Sequence, residues 1–312
     1  GYSVGISSDG NTAVIGAFGE DSNATGVNGD QTNNAIDRAG AAYIFVRSGS
    51  TWSQQAYLKQ NAQEEMAYFG FDSCISGDGN TVAVGAYRSA SEQGKAWVFV
   101  RNGSTWSQQG ILAASNGEAD DRFTRRTSPG GGSMALSSDG NTLAIGAADE
   151  DSNATGVNGS GSDGSTDDSG AAYVFVRNGS SWSQQAYIKA SNTGRGDGFG
   201  LALALSADGN TLAVAANKEG GSNGINGANN DLLANSGAVY LFVRSGTNWS
   251  HQAYIKASNR GAADYFGSSL SLSANGDLLA VGASDEESNA LGIAGDQSNN
   301  SLADAGAVYV FG

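Results

Sequence analysis

The stretch Asn11-Thr-Ala-Val-Ile-Gly-Ala17 decides the fold, because the chain writes it five times. It returns as Asn80–Ala86, Asn141–Ala147, Asn210–Ala216 and, with changes, Asp277–Ala283, at spacings of 69, 61, 69 and 67 residues. Recurrence at such a period means stacked copies of one supersecondary unit. The run itself is apolar and short enough to be a buried strand. Upstream of it lie Val4 and Ile6, Ser73 and Ile75, Met134 and Leu136, Leu203 and Leu205, and Leu270 and Leu272, separated by the small residues Gly5, Cys74, Ala135, Ala204 and Ser271. This period-two alternation predicts a strand with one packed and one crowded face. Between the two strands comes Ser8-Asp-Gly-Asn11, or Ser138–Asn141, whose Gly and Asn tolerate the positive φ of a tight hairpin.

Working downstream, Gly40–Arg47 reads as a third strand and recurs at Gly94, Gly170, Gly237 and Gly306. A Ser-Gly or Asn-Gly turn leads to Trp52–Tyr57, which returns at Trp106, Trp182 and Trp249. This fourth segment is the most polar, as suits an outer edge that must not pair with strangers. No stretch carries a helical period. Each unit is therefore a four-stranded antiparallel meander, and five of them about one axis predict an all-β, five-bladed β-propeller. It forms a single domain over residues 1–312, with blades at about 1–61, 69–115, 131–192, 199–259 and 266–312. The fifth copy reaches Phe311-Gly312 where its Trp-containing strand should start, so the last blade is expected to lack its fourth strand. The alternatives are a piece of a larger ring, such as seven blades, or a strand donated by another subunit beside Ala307, Val308, Tyr309, Val310 and Phe311. Donation would build a head-to-tail polymer.

Phe69-Gly70, Phe199-Gly200 and Phe266-Gly267 open three copies, the apolar-Gly-Ala run follows, and Gly-Ala-Val-Tyr-Val-Phe closes the pattern. In these residues the chain resembles the FG-GAP repeats of integrin α-subunit propellers and many bacterial surface proteins. The resemblance implies a propeller, an extracellular location and work in adhesion. It also implies calcium, held in those relatives by an Asp-x-Asp-x-Asp-Gly loop between the first two strands. Here that connection has shrunk to Ser-Asp-Gly-Asn, and one carboxylate cannot supply the roughly 6–8 oxygens calcium takes.

Composition narrows the function classes. Acidic residues outnumber basic ones 31 to 16, for a net charge of −15, which disfavours nucleic acid as a partner. One Cys excludes an internal disulfide, and one His leaves little room for His-based catalysis. No apolar run approaches the ~20 residues of a membrane helix. The absent initiator Met suggests a processed chain or a fragment.

The copies differ most between strands two and three. This connection is long at Phe18–Ala39, Ala148–Ser169, Asn217–Ser236 and Ser284–Ala305, but short at Tyr87–Gln93. The four long loops hold 17 of the 31 acidic residues and should make one face negative. Basic residues recur instead in the outer strands, at Arg47, Arg101, Arg177, Arg244, Lys59, Lys189 and Lys256. Asp21–Asp30 recurs as Asp151–Ser160 and loosely as Glu287–Asp296. Its Asp, Asn and Gly residues offer Asp21, Asn23, Asp30, Asp151, Asn153, Glu287, Asn289 and Asp296 as candidate Ca2+ ligands, or else self-bonded Asx turns. Val27, Val157, Ile225 and Ile293 each read as an apolar anchor for their loop. Arg122, Arg125 and Arg126, in the exit Asp120–Gly132, form a basic tip that would dock on acidic loops of a neighbour or simply be solvated. Arg195-Gly196-Asp197 spells a tripeptide integrins bind, but the repeat places Asp197 at the position of Asp264.

No nucleophile elbow, Ser–His–Asp arrangement or phosphate loop is evident. The expected function is therefore a non-enzymatic extracellular structural or adhesion protein that works through loop-face contacts and self-association, or by contact with another surface protein or glycan. The alternatives are a lectin-like module with calcium-ordered loops and the propeller part of a larger secreted enzyme.

Overall fold

A computed structural model describes residues 1–125, 132–221 and 233–312. Blade one comprises β1 (Ser3–Ile6), β2 (Thr12–Ala17), β3 (Ala41–Ser48) and β4 (Thr51–Leu58). Blade two comprises β5 (Asp72–Ile75), β6 (Thr81–Ala86), β7 (Lys95–Asn102) and β8 (Thr105–Leu112), and blade three β9 (Met134–Leu136), β10 (Thr142–Ala147), β11 (Ala171–Asn178) and β12 (Ser181–Ile188). Blade four comprises β13 (Leu203–Leu205), β14 (Thr211–Ala216), β15 (Ala238–Ser245) and β16 (Asn248–Ile255). Blade five has three strands, β17 (Phe266–Leu272), β18 (Leu279–Ala283) and β19 (Ala307–Phe311). Every sheet is an antiparallel meander in chain order, so the fold is the expected five-bladed β-propeller with an incomplete last blade. One element was not foreseen: the short loop of blade two holds a single turn, α1 (Ser89–Glu92), too brief to show a period and with Ala90 and Ser91 at positive φ.

The Ser-Asp-Gly-Asn hairpins close as hydrogen-bonded turns. Asp9 accepts from Ser7 Oγ at 2.6 Å and from the Asn11 amide at 2.9 Å, while Ser7 Oγ accepts from Thr12 N at 3.0 Å. The Ser7 hydroxyl, followed by the Asn11 donors, pushes the Asp9 carboxyl down to about 2. Between neighbouring blades the hairpins also join, through Ser8 N to Gly77 O, Asp78 N to Ser138 O, Ser138 N to Ala207 O and Ala207 N to Ala274 O.

Between blades, each sheet presents two different faces. The rear face of blade one (Val14, Ala42, Ile44) packs in one cluster with the front face of blade two (Val84, Trp97, Phe99). The same pairing of faces joins blades two and three, three and four, and four and five. A bulge in β4 between Gln54 and Ala56 turns Gln55 out of register, and its Oε1 accepts from Trp106 Nε1 of the next blade at 2.8 Å. Gln109 with Trp182 and Gln185 with Trp249 repeat that bond.

In blades two, four and five the Phe of Phe-Gly, and in blade three Phe123, meets a third-strand aromatic edge to face, as in Phe69–Trp97 at 5.5 Å and Phe199–Tyr240 at 5.3 Å. Such pairs contribute about 0.5–1.5 kcal/mol beyond area burial. The link and the third strand touch so closely that only glycine fits. Gly170 has φ +81°, and a Cβ there would lie 2.1 Å from Phe199 O.

Candidate functional site: the open ends and the long-loop face

The seam between blade five and blade one differs from the other four. Among the described residues it carries neither a hairpin hydrogen bond nor an apolar cluster of the kind that joins the other blades. The rear face of blade five is therefore bare. Val308 is 71% exposed, whereas its counterparts Ala42, Ala96, Ala172 and Val239 are all at 0%. Val310 repeats the contrast at 68%, against 0% for Ile44, Val98 and Val174. The front face of blade one is bare as well: Val4 is 68% exposed, while Met134 and Leu203 at its position are at 5%. Trp52 stands half-exposed there, whereas Trp106 and Trp249 are buried. The expected assembly residues Ala307–Phe311 thus lie on β19, with Tyr309 and Phe311 turned inward against blade four and Val308 and Val310 outward.

The long loops sit where expected, on the face of the blade-to-blade links, since Gly40 bridges Phe69 and Gly170 bridges Phe199. Some of the loop acids and outer-strand bases are nevertheless withdrawn from water. Lys59, Lys189 and Lys256 are fully buried, and each meets a loop glutamate. Lys189 Nζ donates to Glu150 Oε2 at 2.6 Å, to Ser152 O at 2.8 Å and to Ser169 Oγ at 2.8 Å. Lys256 meets Glu219 at 2.7 Å and Lys59 meets Glu20 at 2.8 Å. Burial pulls each lysine below its usual range, and the glutamate opposes that. A tyrosine two residues before the lysine completes the arrangement: Tyr187 Oη donates to Glu150 at 2.7 Å and Tyr254 Oη to Glu219 at 2.9 Å. Three of the loop acids are therefore core residues that tie each loop to its outer strand.

The candidate calcium residues make bonds within their own loops. Asp21 Oδ1 accepts from Arg38 N at 2.7 Å and Asp151 Oδ1 from Asp168 N at 2.8 Å, which ties the start of each loop to its end. Asn23 N donates to Asn33 and Asn153 N to Asp163. Asp30 and Asp296 cap Thr32 and Ser298, Asn289 accepts from Asn299, and Glu287 O accepts from Leu302 N. Among the described residues no three His, Cys, Asp or Glu side chains converge as a metal site.

Val27 and Val157 do anchor their loops, by bridging Leu58 and Ile188 of the fourth strand. Ile293 does not, and is 100% exposed, because its blade has no fourth strand to meet; Ile225 lies outside the described residues. Arg122 pairs with Glu92 at 2.9 Å and Asp149 at 3.3 Å, joining α1 of blade two to the loop of blade three, and Arg125 pairs with Asp149 at 2.5 Å, so both make their contacts within the same chain. Arg126 lies outside the described residues. Asp197 is buried like Asp264, and Arg195 pairs with Asp167.

The inner strands line an axial cavity of about 510 Å³. Asp72 is the carboxylate among its lining residues, and its Oδ2 accepts from Ser133 N at 2.7 Å and Ser133 Oγ at 2.9 Å.

The FG-GAP repeat family model matches residues 182–242 and 249–311. Each match starts on the fourth strand of one blade and ends on the third strand of the next, and the same pattern recurs in every blade. The chain is an FG-GAP repeat β-propeller protein. Comparison with curated protein sequences finds no match. Among solved structures the FG-GAP chain is similar to the periplasmic gluconolactonase PpgL of Pseudomonas aeruginosa, with 16% identity and a TM-score of 0.48 over 90% of this chain and 64% of that one. It is also similar to hydrazine synthase of Kuenenia stuttgartiensis, at 13% identity and TM-score 0.49 over 90% and 55%. Sqt1 of Chaetomium thermophilum gives 15% and 0.47 over 90% and 55%. The chain thus spans less than two thirds of the length of these structures.

Proposed function

We propose that this FG-GAP propeller is a non-enzymatic, extracellular structural or adhesion protein that associates end to end. The rear face of blade five would seat on the front face of blade one of a second copy. The observation that carries the reading is the pair of bare faces at the seam. Val308 and Val310 occupy positions buried in every preceding blade junction save Leu241, which is partly buried, and Val4 lies on the face those positions would cover. An interface already made four times within one chain is a template for a fifth between chains. Contact of this kind is heterologous, so it extends into a filament unless rotation closes it. Membership of the FG-GAP family supports the extracellular setting. The axial cavity offers one carboxylate already bonded to Ser133, which favours a scaffold over an enzyme.

Sedimentation velocity over a wide concentration range tests the reading. The expected result is a series of concentration-dependent oligomers, reduced to monomer by Val308→Lys. A species that stays monomeric throughout overturns it.

A further inference from the structure

Two of the buried lysines share their glutamate with an asparagine side chain. We propose that Lys189 with Asn116, and Lys256 with Asn192, condense into intramolecular isopeptide bonds, formed by the chain itself with Glu150 and Glu219 carrying the protons.

Asn116 stands in the link between blades two and three. Its Nδ2 donates to Glu150 Oε1 at 3.0 Å, while Lys189 Nζ donates to Glu150 Oε2 at 2.6 Å. One carboxylate thus holds an amine on one oxygen and an amide nitrogen on the other. Tyr173 Oη donates to Asn116 Oδ1 at 2.9 Å and polarises the carbonyl to be attacked. Two Nζ protons are held by Ser152 O and Ser169 Oγ, so the third faces the carboxylate. Its removal leaves the Nζ lone pair on the side where the amide is bound. Blade four repeats every part. Asn192 Nδ2 donates to Glu219 Oε1 at 3.0 Å, Lys256 Nζ to Glu219 Oε2 at 2.7 Å, and Tyr240 Oη to Asn192 Oδ1 at 2.6 Å. Lysine and glutamate are at most 2% exposed in both blades, which keeps bulk water from the amine. The residues are also kept or discarded together. Where blade three has Asn116, Glu150, Tyr173 and Lys189, blade two has Ala62, Ser89, Trp97 and Ala113. An ion pair alone needs no asparagine, as blade one shows. There Lys59 meets Glu20 at 2.8 Å, and among the described residues no asparagine side chain donates to that carboxylate.

Burial draws both lysines below their usual range, which eases the first step. Glu150 takes a proton from Lys189 Nζ, and the neutral amine attacks Asn116 Cγ. Electrons of the C=O bond move onto Oδ1, where Tyr173 Oη holds them. Glu150 then passes its proton to Nδ2, and the Cγ–Nδ2 bond breaks as the C=O bond re-forms. The surplus proton on Nζ goes back to Glu150 and on to the departing ammonia. Each event turns one lysine ammonium and one asparagine amide into an amide crosslink and one ammonium ion, with no oxidant or other reactant. Glu150 ends as the carboxylate it was. Holding amine and amide on one carboxylate supplies the effective concentration that the free groups lack. The product ties the outer strand of one blade to the link that enters it from the blade before.

Intact-mass spectrometry of the purified, folded chain tests this. The expected mass is two ammonia molecules below that of the sequence. Tryptic digests should yield branched peptides joining Asn116 to Lys189 and Asn192 to Lys256, with Lys59 unmodified. Glu150→Gln should remove the first branched peptide and leave the chain only one ammonia below its own sequence mass, and Glu219→Gln should do the same for the second. A parent chain at its full sequence mass overturns the proposal without needing any variant. So does loss of ammonia with no branched peptide, the result a succinimide at Asn116-Gly117 would give. End-to-end association is read separately by sedimentation, so either idea can fall while the other stands.

Discussion

Lys189 Nζ lies 2.6 Å from Glu150 Oε2, and both side chains are withdrawn from water. A buried ion pair is stable only when its remaining donors are satisfied, and here Ser152 O and Ser169 Oγ take the other two ammonium protons. The pair fastens a long surface loop to the outer strand, so loop order and blade closure are one event.

Removing one partner strands the other. Lys189→Met should lower stability by about 3–5 kcal/mol. The double change Lys189→Ala with Glu150→Ser, which copies the residues of blade two, should lose less than Lys189→Ala alone. Urea midpoints of the three variants check this, and a double variant that loses as much as Lys189→Ala alone, or more, would show that the pair is not coupled.

This pair marks the limit of what the sequence reveals unaided. Strand order, hairpins and the shortened fifth blade are all legible, because a five-fold repeat supplies its own alignment. The burial of Lys59, Lys189 and Lys256 is not, since a lysine on a polar outer strand reads as solvated. A signal was present all the same: Glu20 with Lys59, Glu150 with Lys189 and Glu219 with Lys256 occur together, while Ser89 and Ala113 replace both members. Exposure of Ile293 was hidden for another reason, because its burial depends on a strand its blade does not contain. The loop acids read equally as metal ligands or Asx turns, since both uses need the same Asp and Asn spacing.

Asp121 supplies a pH dependence. Burial, reinforced by the charges of Glu150, Asp151 and Glu118, pushes its carboxyl up to about 7, although the Glu118 amide donates to it at 2.7 Å. Between about pH 4 and 7 the folded chain holds a proton that the unfolded chain has released, so this group's contribution falls as pH rises through that window and is constant above it. Asp121→Asn keeps an acceptor for Glu118 N and removes the titration. Its advantage over the parent should grow from near zero at low pH to a few kcal/mol above pH 7. Urea melts across that range check it, and a difference independent of pH would contradict it.

Glycine at the link is a steric requirement. Gly170→Ala, at φ +81° with its Cβ directed into Phe199 O, should cost about 3 kcal/mol or more. Gly179→Ala, at φ +61° with nothing within 4 Å, should cost only about 1 kcal/mol. Thermal melts of the two variants give the comparison, and equal losses would mean that backbone conformation alone sets the need for glycine.

The most direct test of end-to-end association blocks one end at a time. Val4→Lys closes the front face of blade one, and Val308→Lys with Val310→Lys closes the rear face of blade five. Each variant alone should sediment as a monomer, and an equimolar mixture should form a heterodimer that grows no further. A mixture that remains monomeric at concentrations where the parent associates, or single-end variants that polymerise as the parent does, would contradict the assignment of these two faces to each other.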